Sequence, residues 1–550
     1  MATLPSLAVL WASPTILIPT VFIALFLASR LFFPGKSGGR HVIPPGPARL
    51  PFIGNLLDMP PPGVPEFQHW LKHKERYGSV SSVTVMGQTI VILHSKEAAR
   101  FILDKYSKST ASRPHMEFGH NMCGYDNLLP VQKSEDGSYR RRRQLVHQQL
   151  GTPAASERYK DVHEQHAGEL LQQVLNSPER LMDHLKCCTA ASVLDATYGY
   201  TLESSTEVDP LVTLIQRLID NATEAFVPMA WLVDAVPALK YLPSWLPGTS
   251  FIKTAKAWKQ TGEEVANKPY ALVQEQMRNG THRPSYVSGI LDMLARGDNA
   301  NDDDGDDNGG SGGSGGIAEE PSRDRIDEED IKWTAASMYG AGVETSTSTL
   351  EGFILAMVMF PEVQLKAQRE IDSVVGPDRL PTFQDQLNLP YTAHVVMEAL
   401  RWFPVVPMGI VHTSQKDIVY GKYLIPKGSY LLPAVWWFCH DPEVYADPEA
   451  FDPDRYREPR NEPDPRTIVF GFGRRVCPGR YFADSSLFIA VARLLAAFTI
   501  ADDVDEQGRA TTAELKHRPS MTSRPVNFPF KIVPRSARHA TLVRNSQATR

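Results

Sequence analysis

Hydrophobic and polar positions follow several distinct rhythms along this chain. Residues 4–27 are largely Leu, Ile, Val, Ala and Phe, and no charged residue precedes Arg30. That run exceeds the roughly 20 apolar residues that cross a bilayer as a helix. Pro14 and Pro19 fall within it, and membrane helices tolerate proline. Arg30, Lys36 and Arg40 follow, which by the positive-inside rule keeps the body of the protein in the cytosol. A cleaved signal peptide would instead carry a basic leader and a shorter apolar core. A transmembrane anchor is therefore expected over 1–30. A basic, proline-rich hinge over 31–50 follows, containing Pro44-Pro45-Gly46-Pro47, whose fixed φ angles stiffen the connection.

The next rhythm has a period of two. Residues 79–95 hold two β-branched runs split by Met86-Gly87-Gln88, a hairpin pattern. From about 140 to 300 the period becomes helical, and Pro228, Pro237, Pro243 and Pro247 break that stretch into shorter pieces. Residues 296–322 contain an acidic, Gly/Ser-rich tract that cannot bury a core and reads as a disordered loop. Helical periodicity resumes near Ile326 and runs to Met359, with Pro361 just beyond. The pattern predicts a mostly α fold with a small β portion, near 79–95 and near the C-terminus. It groups 51–535 as one catalytic domain and leaves 536–550 as a tail.

Composition narrows the function. The 550 residues carry a formal charge of −6, without the basic footprint of a nucleic-acid binder. The five cysteines are Cys123, Cys187, Cys188, Cys439 and Cys477. An odd set without C-x-x-C pairs is a poor disulfide framework or zinc site and suits a reducing compartment. Cys439 lies beside Trp436 and Trp437 and reads as core.

One cysteine stands apart. Phe470-Gly471-Phe472-Gly473-Arg474-Arg475-Val476-Cys477-Pro478-Gly479-Arg480 precedes an Ala/Leu-rich helical stretch. Glycines let the backbone turn tightly and pass close to a flat ligand. A helix N-terminus and neighbouring arginines favour thiolate over thiol. The segment resembles the cysteine-ligand loop of the cytochrome P450 monooxygenases, F-x-x-G-x-R-x-C-x-G, at Phe470, Gly473, Arg475, Cys477 and Gly479. The resemblance implies that Cys477 ligates the iron of haem b, that Phe470 shields the sulfur and that Arg475 binds a haem propionate.

Three further constellations match the same family. Glu398-Ala399-Leu400-Arg401 is an E-x-x-R pair, and Phe451-Asp452-Pro453-Asp454-Arg455-Tyr456 is similar to the family's P-E-R-F element, with Asp and Tyr at the Glu and Phe positions. Positions i and i+3 share a helix face, and the resemblance implies a buried structural network of Glu398, Arg401 and Arg455. Ala341-Gly342-Val343-Glu344-Thr345-Ser346 resembles the family's acid–threonine motif. There Gly342 admits haem and O2 to the helix, and Glu344 and Thr345 pass protons to dioxygen. Gly137-Ser138-Tyr139-Arg140-Arg141-Arg142-Arg143 resembles W-x-x-x-R, with Tyr139 at the tryptophan position and Arg143 at the propionate-binding arginine. His412, after Pro404-Val405-Val406-Pro407, matches another propionate-binding position.

The resemblance implies insertion of one oxygen atom of O2 into an apolar small molecule, RH + O2 + 2e⁻ + 2H⁺ → ROH + H2O. It is closest in pattern to fungal members of secondary metabolism, where terpenoids, polyketides and indole alkaloids are oxidised. The sequence shows no flavin, nicotinamide or iron–sulfur motif, so electrons are expected from a separate protein. That donor would be an NADPH–cytochrome reductase with FAD and FMN, with a b-type cytochrome as a second source, at the endoplasmic reticulum membrane with the catalytic domain facing the cytosol. Arg474 and Arg480 would form a basic docking face for it. Pocket segments would be 112–128, 208–235, 335–345, Val405 to Ile410 and Met521 to Pro525. Two alternatives stay open: a haem-thiolate isomerase or dehydratase, and a non-catalytic membrane haem carrier or sensor. The Glu344-Thr345 pair speaks for O2 activation.

Overall fold

The computed structural model describes residues 41–202, 209–227, 230–296, 326–503 and 513–546. The anchor expected over 1–30 lies outside the described residues, as does the acidic loop beyond Arg296. Among the described residues no helix is long and apolar enough to cross a membrane. The described residues fall into two compact units, one of 41–111 with 411–434 and one of 112–410 with 435–546.

The first unit is the β-rich one. Strands β1 (Val80–Val85) and β2 (Gln88–Leu93) form the expected hairpin, with Val85 opposite Gln88. Its two turn residues, Met86 and Gly87, have φ of 47° and 89°, the positive pair that a type I′ turn requires. Strand β3 (His412–Thr413) and the two-stranded ribbon of β4 (Ile418–Tyr420) and β5 (Tyr423–Ile425) belong to the same unit, as does β6 (Tyr430–Pro433). The four-stranded sheet runs β1-β2-β6-β3, and only β2 and β6 are parallel. The hinge prolines lie along β1: Ser82 N donates to Pro45 O at 2.7 Å and Ser82 Oγ to Pro44 O at 2.6 Å. A side chain on Gly46 would begin 1.8 Å from Ser82 O, so this approach requires glycine.

The second unit is helical. Its principal helices are α1 (Tyr139–Leu150), α2 (Lys160–Asn176), α3 (Leu181–Tyr198), α4 (Pro210–Ala225), α5 (Ser250–Arg278), α6 (Glu328–Met359), α7 (Pro361–Val374), α8 (Pro390–Trp402) and α9 (Arg480–Ala497). Local chemistry sets their ends. Pro210, Pro361 and Pro390 stand at first helical positions, where a missing N–H does no harm. Asp327 caps α6 by accepting Asp330 N at 2.7 Å, one of the donors a helix start leaves unpaired. Gly199 ends α3 at φ 63°. Between 230 and 249 the prolines break the chain into short turns, as their spacing predicts, whereas Pro269 is accommodated inside α5.

Helix α6 is buried along most of its length, which explains its weak amphipathic pattern. A side chain on Gly342 would begin 3.1 Å from Val193 Cγ2 of α3. Glycine there lets two helices pack, a use the family pattern does not suggest. Strands β7 (Phe498–Ala501) and β8 (Lys531–Pro534) pair antiparallel near the C-terminus, as expected. The region read as a tail carries a helix, Ala537–Asn545, which buries Ala540 and Val543.

Candidate functional site

The cysteine loop is built by three successive backbone devices. A short helix, Arg466–Val469, ends at Phe470. Gly471 and Gly473 then turn the chain at φ of 84° and 54°, conformations that glycine adopts without strain. Cys477 N returns to Phe470 O at 2.8 Å, closing the loop, and α9 begins three residues later. Cys477 is half-buried. Burial pushes its thiol pKa up, while the Gly479 N–H and the charges of Arg143 and Arg480 pull it down, and burial prevails. The expected bias toward thiolate from the arginines and helix end is thus present but outweighed until a metal displaces the proton. A side chain on Gly479 would begin 4.0 Å from Cys477 Sγ.

Basic groups gather beside this loop. Arg475 donates to Gln132 O at 2.6 Å and Leu129 O at 3.3 Å. Arg113 donates to Pro130 O at 2.9 Å and Ile410 O at 2.8 Å. Arg143 donates to Val476 O, the carbonyl preceding Cys477. Burial first, then repulsion from Arg475, lowers the pKa of Arg113; burial lowers that of Arg143 too, against Tyr139 and Cys477 and with a smaller push from Arg480. The same two effects push Arg475 down to about 10, although Tyr139, Glu135 and Asp136 act against them. The Tyr139 ring lies 4.1 Å beneath the Arg475 guanidinium, a cation–π contact. Its buried hydroxyl has no hydrogen-bond partner among the described residues.

These observations fit a haem. Crowded, buried guanidiniums and an orphaned hydroxyl suit a dianionic edge. A half-buried sulfur at a glycine turn suits iron. Ala341 is exposed in the middle of otherwise buried α6, and a side chain on neighbouring Gly340 would meet nothing within 4 Å. That is the open helix surface a flat ligand needs.

Sequence expectation and structure meet unevenly. Glu398, Arg401 and Arg455 come together with side chains 0% exposed. Arg401 bonds Glu398 through Nη2 at 2.7 Å and Nε at 2.9 Å, and Arg455 Nε reaches the same carboxylate at 2.9 Å. Both arginines also hold carbonyls of 439–450. Thr345 Oγ1 donates to Ala341 O at 2.8 Å, and Glu344 is ion-paired to Arg524 at 3.3 Å. His412 is buried in the first unit on β3, with Nδ1 2.8 Å from Thr110 O. The sequence reading missed Arg113 and Arg142. Arg142 is buried against Asp330 at 2.9 Å. It also missed Glu351 and the Tyr456 hydroxyl.

Comparison with known proteins bears on all of this. Residues 44–525 match the family model described as Cytochrome P450. A multifunctional cytochrome P450 monooxygenase of Aspergillus fumigatus is 45% identical across 97% of this chain and 96% of its own length. The cytochrome P450 monooxygenase CLM2 of Gibberella zeae is 45% identical across 92% of each. An O-methylsterigmatocystin oxidoreductase of Aspergillus flavus is 35% identical across 95% of this chain and 93% of its own.

Proposed function

The chain belongs to the cytochrome P450 family and is a haem-dependent monooxygenase, and from that premise we propose that Cys477 is its iron ligand and Glu344 with Thr345 its proton relay. The observation that carries the reading is the closed 470–477 loop, which holds one sulfur beside the Gly479 N–H and near the charges of Arg143 and Arg480. Bound haem supplies the binding and reductive cleavage of O2, with the sulfur donating electron density to the iron. Everything else falls to the polypeptide. Arg475, Arg143 and Tyr139 hold the propionates. Glu398, Arg401 and Arg455 stiffen the 439–455 segment, and Phe470 and Gly479 set the space around the sulfur. Thr345 spends its hydrogen on Ala341 O, so its oxygen is left to accept a hydrogen bond and orient the relay, while Glu344 delivers the proton.

The overall reaction is RH + O2 + 2e⁻ + 2H⁺ → ROH + H2O. A separate redox partner supplies the electrons, and we assign that role to NADPH–cytochrome reductase, with a b-type cytochrome as an alternative donor. Arg474 and Arg480 offer it positive charge, which speeds encounter with an acidic surface. The apolar run 4–27 supports a single-pass anchor at the endoplasmic reticulum with the catalytic body in the cytosol. The substrate is an apolar small molecule of fungal secondary metabolism, of terpenoid, polyketide or indole alkaloid type. The fungal relatives support the secondary-metabolism setting, and one of them is named for O-methylsterigmatocystin.

The test is a spectrum followed by a screen. The reduced CO complex should carry the signature of thiolate ligation. Membranes holding the protein and reductase should convert a panel of such compounds to products one oxygen atom heavier, in an NADPH-dependent manner. A histidine-type spectrum, or conversion without NADPH, would overturn the reading.

A further inference from the structure

Helix α6 carries another acid, Glu351, seven residues after Glu344. Seven residues are about two helical turns, so both side chains leave the same face. Each meets the guanidinium of Arg524. The contacts are unequal. Glu351 takes Arg524 Nε on Oε2 at 3.0 Å and Nη2 on Oε1 more closely still, a forked pair. Glu344 receives a single bond, Nη1 to Oε1 at 3.3 Å. Forked charge-assisted pairs are the stronger kind, and a lone contact at that length is near the edge of bonding.

Arg524 is fixed from its other side as well. Its carbonyl accepts Arg518 N at 2.9 Å, Val526 N reaches Lys516 O at 2.9 Å, and Ser523 N donates to Val405 O at 2.7 Å. His517 Nδ1 lies 2.9 Å from Ser523 Oγ, and the His517 ring stacks on Phe403 at 4.7 Å. The guanidinium therefore keeps its place when Glu344 departs. Two carboxylates on one guanidinium leave a net negative charge. A proton arriving on Glu344 cancels that excess and weakens the longer contact, while the fork to Glu351 stands.

We propose that Arg524, anchored by Glu351, is a positioning residue that parks Glu344 and releases it when it picks up a proton, so that the acid can turn to Thr345. This rests on the reading of Glu344 as proton donor. Removing the anchor should let Arg524 grip Glu344 with its full fork and slow the release.

The experiment uses the full-length holoenzyme with reductase, with NADPH and O2 as probes, in H2O and D2O, alongside hydrogen exchange of peptides from 513–528. Glu351→Gln should slow NADPH oxidation by about 5–10-fold and enlarge the solvent isotope effect. Arg524→Gln should speed exchange in 513–528 by about 10-fold or more and change the isotope effect. Glu344→Gln should change the isotope effect but leave that exchange near wild type, because the fork to Glu351 remains. Arg524→Lys keeps the charge without the fork and should shift the isotope effect partway, which covers the case in which Arg524→Gln fails to fold. If Glu344→Gln moves the isotope effect while the Glu351 and Arg524 variants change only exchange, Arg524 is merely structural and the proposal falls. If Glu344→Gln moves nothing, the proton-donor reading falls first and takes the proposal with it.

Discussion

Tyr456 donates its phenolic hydrogen to Oε2 of Glu398 at 2.8 Å. The same carboxylate receives Arg401 on both oxygens and Arg455 and Asp452 N on one. A phenylalanine at 456 would leave the acid with both arginines but without this bond. Tyr456→Phe should therefore cost about 1–2 kcal/mol, the scale of a hydrogen bond to a charged group. Glu398→Ala leaves the buried Arg401 without a carboxylate, while Arg455 keeps Glu462, and should cost about 3–5 kcal/mol, enough to abolish haem-loaded protein. Thermal melts of the two variants check the ranking. An E398A melt above that of Y456F would refute the network.

Cys477→Ser keeps the backbone bond from residue 477 to Phe470 O and changes one atom. The fold should survive, as read by circular dichroism. The thiolate signature of the reduced CO complex should vanish, and NADPH-supported turnover should fall by at least about 100-fold, because the oxygen cannot supply the sulfur's electron donation. Retained turnover in the serine variant would show that another residue ligates the iron.

How much of this was legible in the sequence depends on the reach of each contact. Glu398 and Arg401 were readable because i and i+3 share a helix face. The hairpin was readable because a period of two stops at Met86-Gly87. The run Arg140 to Arg143 was only half readable. Successive helical residues point about 100° apart, and nothing in four identical letters tells which one turns inward. The structure sends Arg142 to Asp330 and Arg143 to Val476 O. Arg113 and Arg524 fell inside expected pocket segments, but the partners that fix them were not legible. Both lie in irregular segments without periodicity, and their partners Ile410 and Glu344 are 297 and 180 residues away.

Acid should weaken the protein through its buried histidines. Burial pushes His94, His163 and His440 down to about 3, and neither ring nitrogen of His163 has a partner among the described residues. Their ordinary pKa is near 6.5. Below that pH the unfolded chain binds protons that the folded chain refuses, so stability is full above about 6.5 and falls as pH drops toward 3. Three such groups give a slope of at most about 4 kcal/mol per pH unit. Melting temperatures should decline steadily from pH 7 to pH 5, and His163→Phe should flatten the decline by one proton. An H163F slope equal to wild type would show that this ring titrates normally.

Tyr139 offers the sharpest separation of cofactor binding from folding. Its ring supports Arg475 from below at 4.1 Å, while its hydroxyl is buried and unpartnered among the described residues. Tyr139→Phe keeps the ring and deletes only the hydroxyl. If that hydroxyl exists to meet a haem carboxylate, the variant should release haem to a scavenging protein about 3–10-fold faster, the loss of one modest hydrogen bond. Tyr139→Trp restores a donor through the indole N–H and should recover much of the retention. Tyr139→Ala removes the aromatic face as well and should both speed haem release and lower the melting temperature. The ordering Trp, Phe, Ala in haem retention follows from a hydroxyl that binds and a ring that positions. Equal haem release from Y139F and wild type would mean that the hydroxyl points away from the cofactor and that Arg475 and Arg143 hold the propionates without it.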